Sequence, residues 1–336
     1  MTTLPTGWTL AASAFNWTPD VVRAERSTHE LAAAISASGV ASTIEIELGQ
    51  TLRTYPDPDA AELDALRTTL AAAGGKVCIV GVSLDDWRLA ADGTTRRRSD
   101  DERLAFLAPQ LRAAHELGAG GVRLPLGQAG GALLARTLPL LDELGLVLYE
   151  EAQGRQSPHS PAHAEAYEAI TRFDDPHLRL LIDLSMLMPA LPTSYLTVLE
   201  AGGVDAELLR LLRTAWHEPA TQDAVFAALR AGAVPPAVHT LFMDLVVRFG
   251  RSDAAQLRDV LPLIGAFHLK FWDLDDTDGR VSQPIRDLGA LLHGSGFTGT
   301  LCSEWGGHEW LDADATEMTR AHLALASRAL AEGAGS

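Results

Sequence analysis

The chain is predicted to fold as an α/β protein, a (β/α)8 barrel with a helical insertion between the sixth and seventh strands. Three observations predict it. Eight short apolar runs recur along the 336 residues, helical patterns fill the intervals, and no dinucleotide-binding glycine fingerprint follows the first run. The runs are 9–16 (TLAASAFN), 42–48 (STIEIEL), 76–84 (KVCIVGVSL), 120–126 (GGVRLPL), 145–151 (GLVLYEE), 178–185 (LRLLIDLS), 264–272 (IGAFHLKFW) and 298–304 (TGTLCSE). Strands alternating with helices make a parallel sheet, either closed or open and doubly wound. An open sheet should offer G-x-G-x-x-G at its first strand–helix turn, and here that turn reads Asn16-Trp17-Thr18-Pro19.

The intervals carry amphipathic stretches such as 99–117, 132–144 and 162–173. Ser99 followed by Glu102 reads as a capping box, and Ser160-Pro161 as an N-cap with proline at the first helical position. Gly118 and Gly145 stand where helices should stop. The glycines at 118, 120 and 121 follow a helix and precede a strand, the wrong order for a phosphate cradle, and read as a helix end.

Residues 186–260 are several times longer than an ordinary connection. They hold helical patterns at 205–216, 221–231 and 236–249, punctuated by Pro192, Gly202-Gly203 and Pro235-Pro236. The reading is an insertion over or beside the active-site mouth of a single barrel domain, 1–336. Its large apolar residues (Leu187, Met188, Leu191, Tyr195, Leu196, Leu241, Phe242 and Val246 among them) must be buried over the mouth, against another subunit, or both, so an oligomer is expected.

The 27 basic and 44 acidic side chains give a net charge of −17 with no basic patch, which argues against nucleic acid as a partner. The start, MTTLPTGWTLAAS, lacks the charged and apolar regions of a signal peptide. No apolar stretch of about 18 residues would span a membrane. A cytoplasmic protein is expected. Cys78 and Cys302, both in strand runs, read as buried reduced thiols.

In a closed barrel the C-terminal strand ends face the active site. The fifth to eighth runs end on Glu150-Glu151, Asp183, His268 and Glu304. A carboxylate in a run such as LRLLID costs several kcal/mol to bury unless it is paired or metal-bound. Four such groups at successive strand ends point to a divalent metal held by Glu151, Asp183, His268 and Glu304. Three carboxylates and one imidazole suit Mn²⁺ best, with Mg²⁺ or Co²⁺ as alternatives. Strand parity alone does not choose between Glu150 and Glu151; Glu151 is favoured because Gln153, two residues on, would share its face. Further candidates lie on the same rim. His159 is a candidate general base. Trp17, Trp87, Trp272, Trp305 and Trp310 fall at or past strand ends, where indoles stack on sugars. Arg96-Arg97-Arg98 reads as a solvated charge run.

The order Glu, Asp, His, Glu on strands five to eight, with His268-x-Lys270 on the seventh, resembles the xylose-isomerase-like TIM-barrel superfamily of sugar isomerases and epimerases. The resemblance implies a metal that binds neighbouring substrate oxygens. It implies Glu151 and Glu304 as ligands that double as acid/base groups, and Lys270 as a substrate contact. The expected activity is proton transfer at a carbon next to a sugar carbonyl. Two departures stand out: Met186 occupies the place, three residues after Asp183, where ketose 3-epimerases carry histidine, and the 186–260 insertion is foreign to the compact epimerases. Both bring the chain closer to the catalytic subunit of bacterial C-glycoside deglycosidases, which resemble the same barrel, pair with a small β-rich subunit and cleave 3-keto C-glycosides by metal-assisted elimination. The readings carried forward are an isomerase or epimerase, such a lyase subunit, and a non-catalytic barrel.

Overall fold

The computed structural model describes residues 4–89 and 92–335; the first three residues of the segment read for a leader lie outside them. Eight parallel strands close into a barrel: β1 (Trp8–Ser13), β2 (Thr43–Glu47), β3 (Lys76–Gly81), β4 (Gly121–Pro125), β5 (Val147–Ala152), β6 (Leu178–Asp183), β7 (Ile264–Phe271) and β8 (Gly299–Trp305). Each pairs with its neighbours in chain order, and β8 returns to β1 with Trp8 opposite Gly299. All eight coincide with the apolar runs, their ends differing by no more than three residues.

Outward-facing Ile44, Val80, Val122, Leu148, Ile182, Phe267 and Leu301 pack against Leu66, Leu111, Leu141, Leu288 and Leu330 from the surrounding helices. Inside the barrel, Ile79, Leu181 and Ala266 form a small plug with Cys78 and Tyr149. The Tyr149 ring needs room that side chains on β4 and β7 would take: a Cβ at Gly121 or Gly265 would stand 2.6 or 2.8 Å from it. Both cysteines are free thiols; Cys302 is buried and Cys78 partly so.

The capping box at Ser99 forms as read and opens the helix Asp100–Glu116. Gly145 closes Gly131–Leu144 in the left-handed conformation, φ 64°. Ser160-Pro161 does not open a helix. Residues 157–163 close into successive turns, with Ser160 N on Ser157 O and His163 N on Ser160 O, and the helix starts at Ala164. Another difference is a two-stranded antiparallel pair, Trp87–Leu89 with Thr95–Arg97, hidden from the sequence reading because strands of three exposed residues are too short to show a pattern.

Between β6 and β7 lie the helices Thr193–Ala201, Ala206–Thr214 and Pro219–Arg230. The pattern at 236–249 is not one helix. It breaks into a 3-10 turn, Pro236–Val238, and two single turns, His239–Phe242 and Asp244–Val247, none with a side-chain cap. These elements have a core of their own, which joins Met188, Leu191, Tyr195, Leu196, Leu199, Leu212, Trp216, Phe242 and Phe249 to Trp272. Tyr195 meets Phe249 edge-on at 4.8 Å, and Phe249 meets Trp272 at 5.0 Å. No helix among the described residues is long and apolar enough to cross a membrane.

Candidate metal centre

Strand alternation sends Tyr149 and Glu151 into the barrel and Glu150 out towards the helices, where its Oε2 accepts from Gly127 N at 3.1 Å. Burial pushes the Glu150 carboxyl up to about 7. Asp183 ends β6. Its Oδ1 accepts from Ser185 N at 2.6 Å, while Oδ2 is buried without a hydrogen-bond partner among the described residues. On β7, His268 and Lys270 are two residues apart and so share a face, and pairing sets Asp183 beside His268 and Lys270 beside Glu304.

One atom each of Glu151, Asp183, His268 and Glu304 lies within 4.8 Å of all the others, and all four residues are buried. His268 Nδ1 is 2.9 Å from Glu151 Oε1, 3.0 Å from Glu304 Oε2 and 3.9 Å from Asp183 Oδ2. Its Nε2 faces the opposite way, 3.0 and 3.1 Å from the two oxygens of Glu45.

Glu45, Glu47 and Arg123 are residues the sequence reading missed. Arg123 Nε donates to Glu45 Oε1 at 2.8 Å, Nη1 donates to Glu151 Oε2 at 2.8 Å, and Nη2 pairs with Glu47. The signal was the alternation Ile44-Glu45-Ile46-Glu47, which places both carboxylates on the face opposite the isoleucines.

Five carboxylates therefore share this floor with two permanent cations, Arg123 and Lys270, whose Nζ is 3.1 Å from Glu304 Oε2. With His268 neutral, as a metal ligand must be, the formal excess is three negative charges. Burial, aided by Glu304, pushes the Asp183 carboxyl up to about 7 against the pull of Lys270. Burial opposes charge on His268 as well, yet Glu304, Glu45 and Glu151 hold it well above its ordinary value. Excess charge, an unpartnered Asp183 oxygen and a donor set of three carboxylates with one imidazole all fit a divalent cation.

Above the centre opens a cavity of about 720 Å³, within the range of small-molecule sites. Glu47, Arg123, Glu151, Lys270 and Glu304 face it from the barrel, Gln153, Arg155, Gln156 and His163 from the loop after β5, and Val246, Val247 and Arg248 from the insertion. Trp272 also lines it; Trp17, Trp87, Trp305 and Trp310 are not among the lining residues. His159 is exposed and likewise not among them, whereas His163 is. In the Arg96–Arg98 run, Arg96 pairs with Glu102 and Arg98 with Asp85, away from the cavity.

No protein-family model matches the chain. It is 27% identical over 334 residues to a C-glycoside deglycosidase alpha subunit of Arthrobacter globiformis, covering 97% of this chain and 93% of that one. It is 27% identical to a 3'-dehydrocarminate deglycosidase alpha subunit of a Microbacterium species, covering 91% and 90%. Among solved structures, a xylose isomerase domain protein from Planctomyces limnophilus superposes with a TM-score of 0.53 at 13% identity, covering 98% of both chains. The chain is thus an enzyme with the xylose-isomerase-like TIM-barrel fold, similar over nearly its whole length to the alpha subunits of C-glycoside deglycosidases.

Proposed function

We propose that the protein is the catalytic subunit of a metal-dependent lyase that cleaves 3-keto C-glycosides. In this reading 1–336 is a single barrel domain, 186–260 forms one wall of its mouth, and the enzyme acts in the cytoplasm with a second, small β-rich subunit. The observation that carries the proposal is the buried convergence of Glu151, Asp183, His268 and Glu304 beneath a cavity wide enough for a sugar with an aromatic aglycone. The similarity to deglycosidase alpha subunits favours the lyase over the simple isomerase or epimerase.

The reaction needs no oxidant. The sugar C2–H is acidified by the C3 carbonyl. A base removes that proton and the electron pair becomes a C1=C2 double bond. The C1–C bond to the aglycone breaks, and its electrons leave on the aglycone carbon, which then takes a proton. A divalent ion, Mn²⁺ by preference, would draw electron density from the carbonyl oxygen and so favour loss of the C2 proton. Arg123 and Lys270 pair with Glu151 and Glu304, whose carboxylates would accept that proton at the cavity floor. His163 takes the acid/base role at the rim first read for His159, because it faces the cavity. An epimerase would share the first step and return the proton to the sugar.

The test is turnover of a 3-keto C-glucoside by the purified protein together with any co-purifying subunit. Chelation should abolish it and Mn²⁺ restore it. Asp183→Ala and His268→Ala should each lose at least 100-fold in activity, together with bound metal, while the circular dichroism spectrum stays that of the folded barrel. Activity that persists after the metal is shown to be gone would end the proposal.

A further inference from the structure

Four cationic side chains line the cavity, and three are tied to carboxylates. Arg123 holds three glutamates, Lys270 pairs with Glu304, and Arg248 pairs with Asp244 and Glu309. The fourth, Arg155, has no carboxylate within ion-pair distance among the described residues. It stands on the loop after β5, its guanidinium 5.7 Å from the Phe226 ring centre, with the Gln222 amide as a neutral neighbour.

Arg251 stands close by in the same condition. Its Nε donates to Trp216 O at 2.8 Å, its guanidinium lies 3.5 Å above the Trp216 ring, and its Nη2 is buried with no hydrogen-bond partner among the described residues. Burial, and then the neighbouring Arg155, push Arg251 down to about 10. Two uncompensated guanidiniums that feel each other's charge repel, and acidic residues to neutralise them are abundant in a chain of net charge −17. Among the described residues no carboxylate lies within ion-pair distance of either, and Arg155 on the loop after β5 meets the insertion at Phe226 and Gln222.

We propose that Arg155, backed by Arg251, forms an anion-recognition subsite at the cavity mouth that takes a carboxylate or phenolate borne by the aromatic aglycone. Naming the aglycone rests on the lyase reading. The sugar then lies on the metal floor and the aromatic group extends towards the mouth. Phe226 and Trp216 flank the guanidiniums and present flat faces that keep them oriented. A forked guanidinium suits a carboxylate with both oxygens engaged.

The test uses a matched pair of 3-keto C-glucosides whose aryl aglycone carries a carboxylate or its methyl ester, and a third whose aglycone carries a phenol alone. The carboxylate substrate should be preferred over the ester by about tenfold or more in kcat/KM, and Arg155→Gln should collapse that ratio through KM, with Arg155→Lys restoring part of it. Arg251→Gln should reduce the ratio less. Loss confined to the phenol substrate would assign the subsite to a phenolate. A second readout needs no turnover: calorimetric binding of 4-hydroxybenzoate to the metal-loaded protein should weaken about tenfold in Arg155→Gln. An unchanged substrate ratio together with equal 4-hydroxybenzoate binding would overturn the subsite. If no 3-keto C-glycoside turns over and 4-hydroxybenzoate binding still depends on Arg155, the subsite stands and the lyase reading falls.

Discussion

Glu45 is fully buried and shows the cavity nothing, yet both its oxygens lie within 3.1 Å of His268 Nε2. That contact turns the ring so that Nδ1 faces Glu151, Asp183 and Glu304. A carboxylate behind a ligating histidine fixes its tautomer and strengthens its basicity. Glu45→Gln should therefore weaken metal affinity about 10- to 100-fold in a competition titration, with the fold intact. An unchanged affinity would mean that packing alone holds the ring. At this scale the sequence showed much of the centre, because acidic groups at the ends of apolar runs stand out. Two things escaped it. The phase of β5 decides between Glu150 and Glu151 and is set only by tertiary packing. Glu45 on β2, behind His268, and Arg123 on β4, which ties Glu45 to Glu151, come from far away in the chain, and neither stands at the end of its strand.

Elements are joined by buried polar contacts as well as by apolar packing. The last helix, Ala315–Gly333, is fixed to the barrel by His322, whose ring stacks on Phe271 of β7 at 3.8 Å and 11° while Nδ1 meets Ser303 Oγ of β8 at 2.8 Å. No acidic group offsets a charge there, and burial pushes His322 down to about 3. The folded pKa is thus below the unfolded value near 6.5. The protein's stability from this group is full above that value and is lost as pH falls towards 3, by about 1.4 kcal/mol per pH unit. Unfolding free energies from urea titrations between pH 7 and pH 4 should fall more steeply in the wild type than in His322→Asn, by up to this amount; parallel slopes would remove His322 as the cause. Helices were legible where local chemistry sets their ends, as at Ser99 and Gly145. They were misread where tertiary contacts override it. The 157–163 turns tie Ser160 to the β5 loop, and the insertion's last helical pattern splits at Met243.

Two cores divide the whole molecule. The length of 186–260 was evident from the spacing of the runs, but composition does not say where apolar side chains go. The expectation that they pack over the mouth, against another subunit, or both rested on there being no room for them on the barrel's outside. They make their own room, around Tyr195, Phe242, Phe249 and Trp216. The buried apolar residues of the insertion therefore do not by themselves call for a second subunit. Phe249 is fully buried at the centre of the insertion's core, so Phe249→Ala should cost about 3–5 kcal/mol there. In hydrogen exchange, protection should drop across the insertion helices and persist in β1–β8. An equal drop in both would show that the two cores melt as one.

The division between the cores is sharp along the chain. Leu187 belongs to the barrel and Met188 to the insertion; after Phe249 the chain returns to the barrel with Leu257; Phe271 faces one core and Trp272, its neighbour, the other. Substitutions on either side of such a seam share few partners, so their effects approach additivity. For a lineage this separates two kinds of selection. A change in the wall over the cavity can thus be inherited with little disturbance to the barrel and its buried acidic floor.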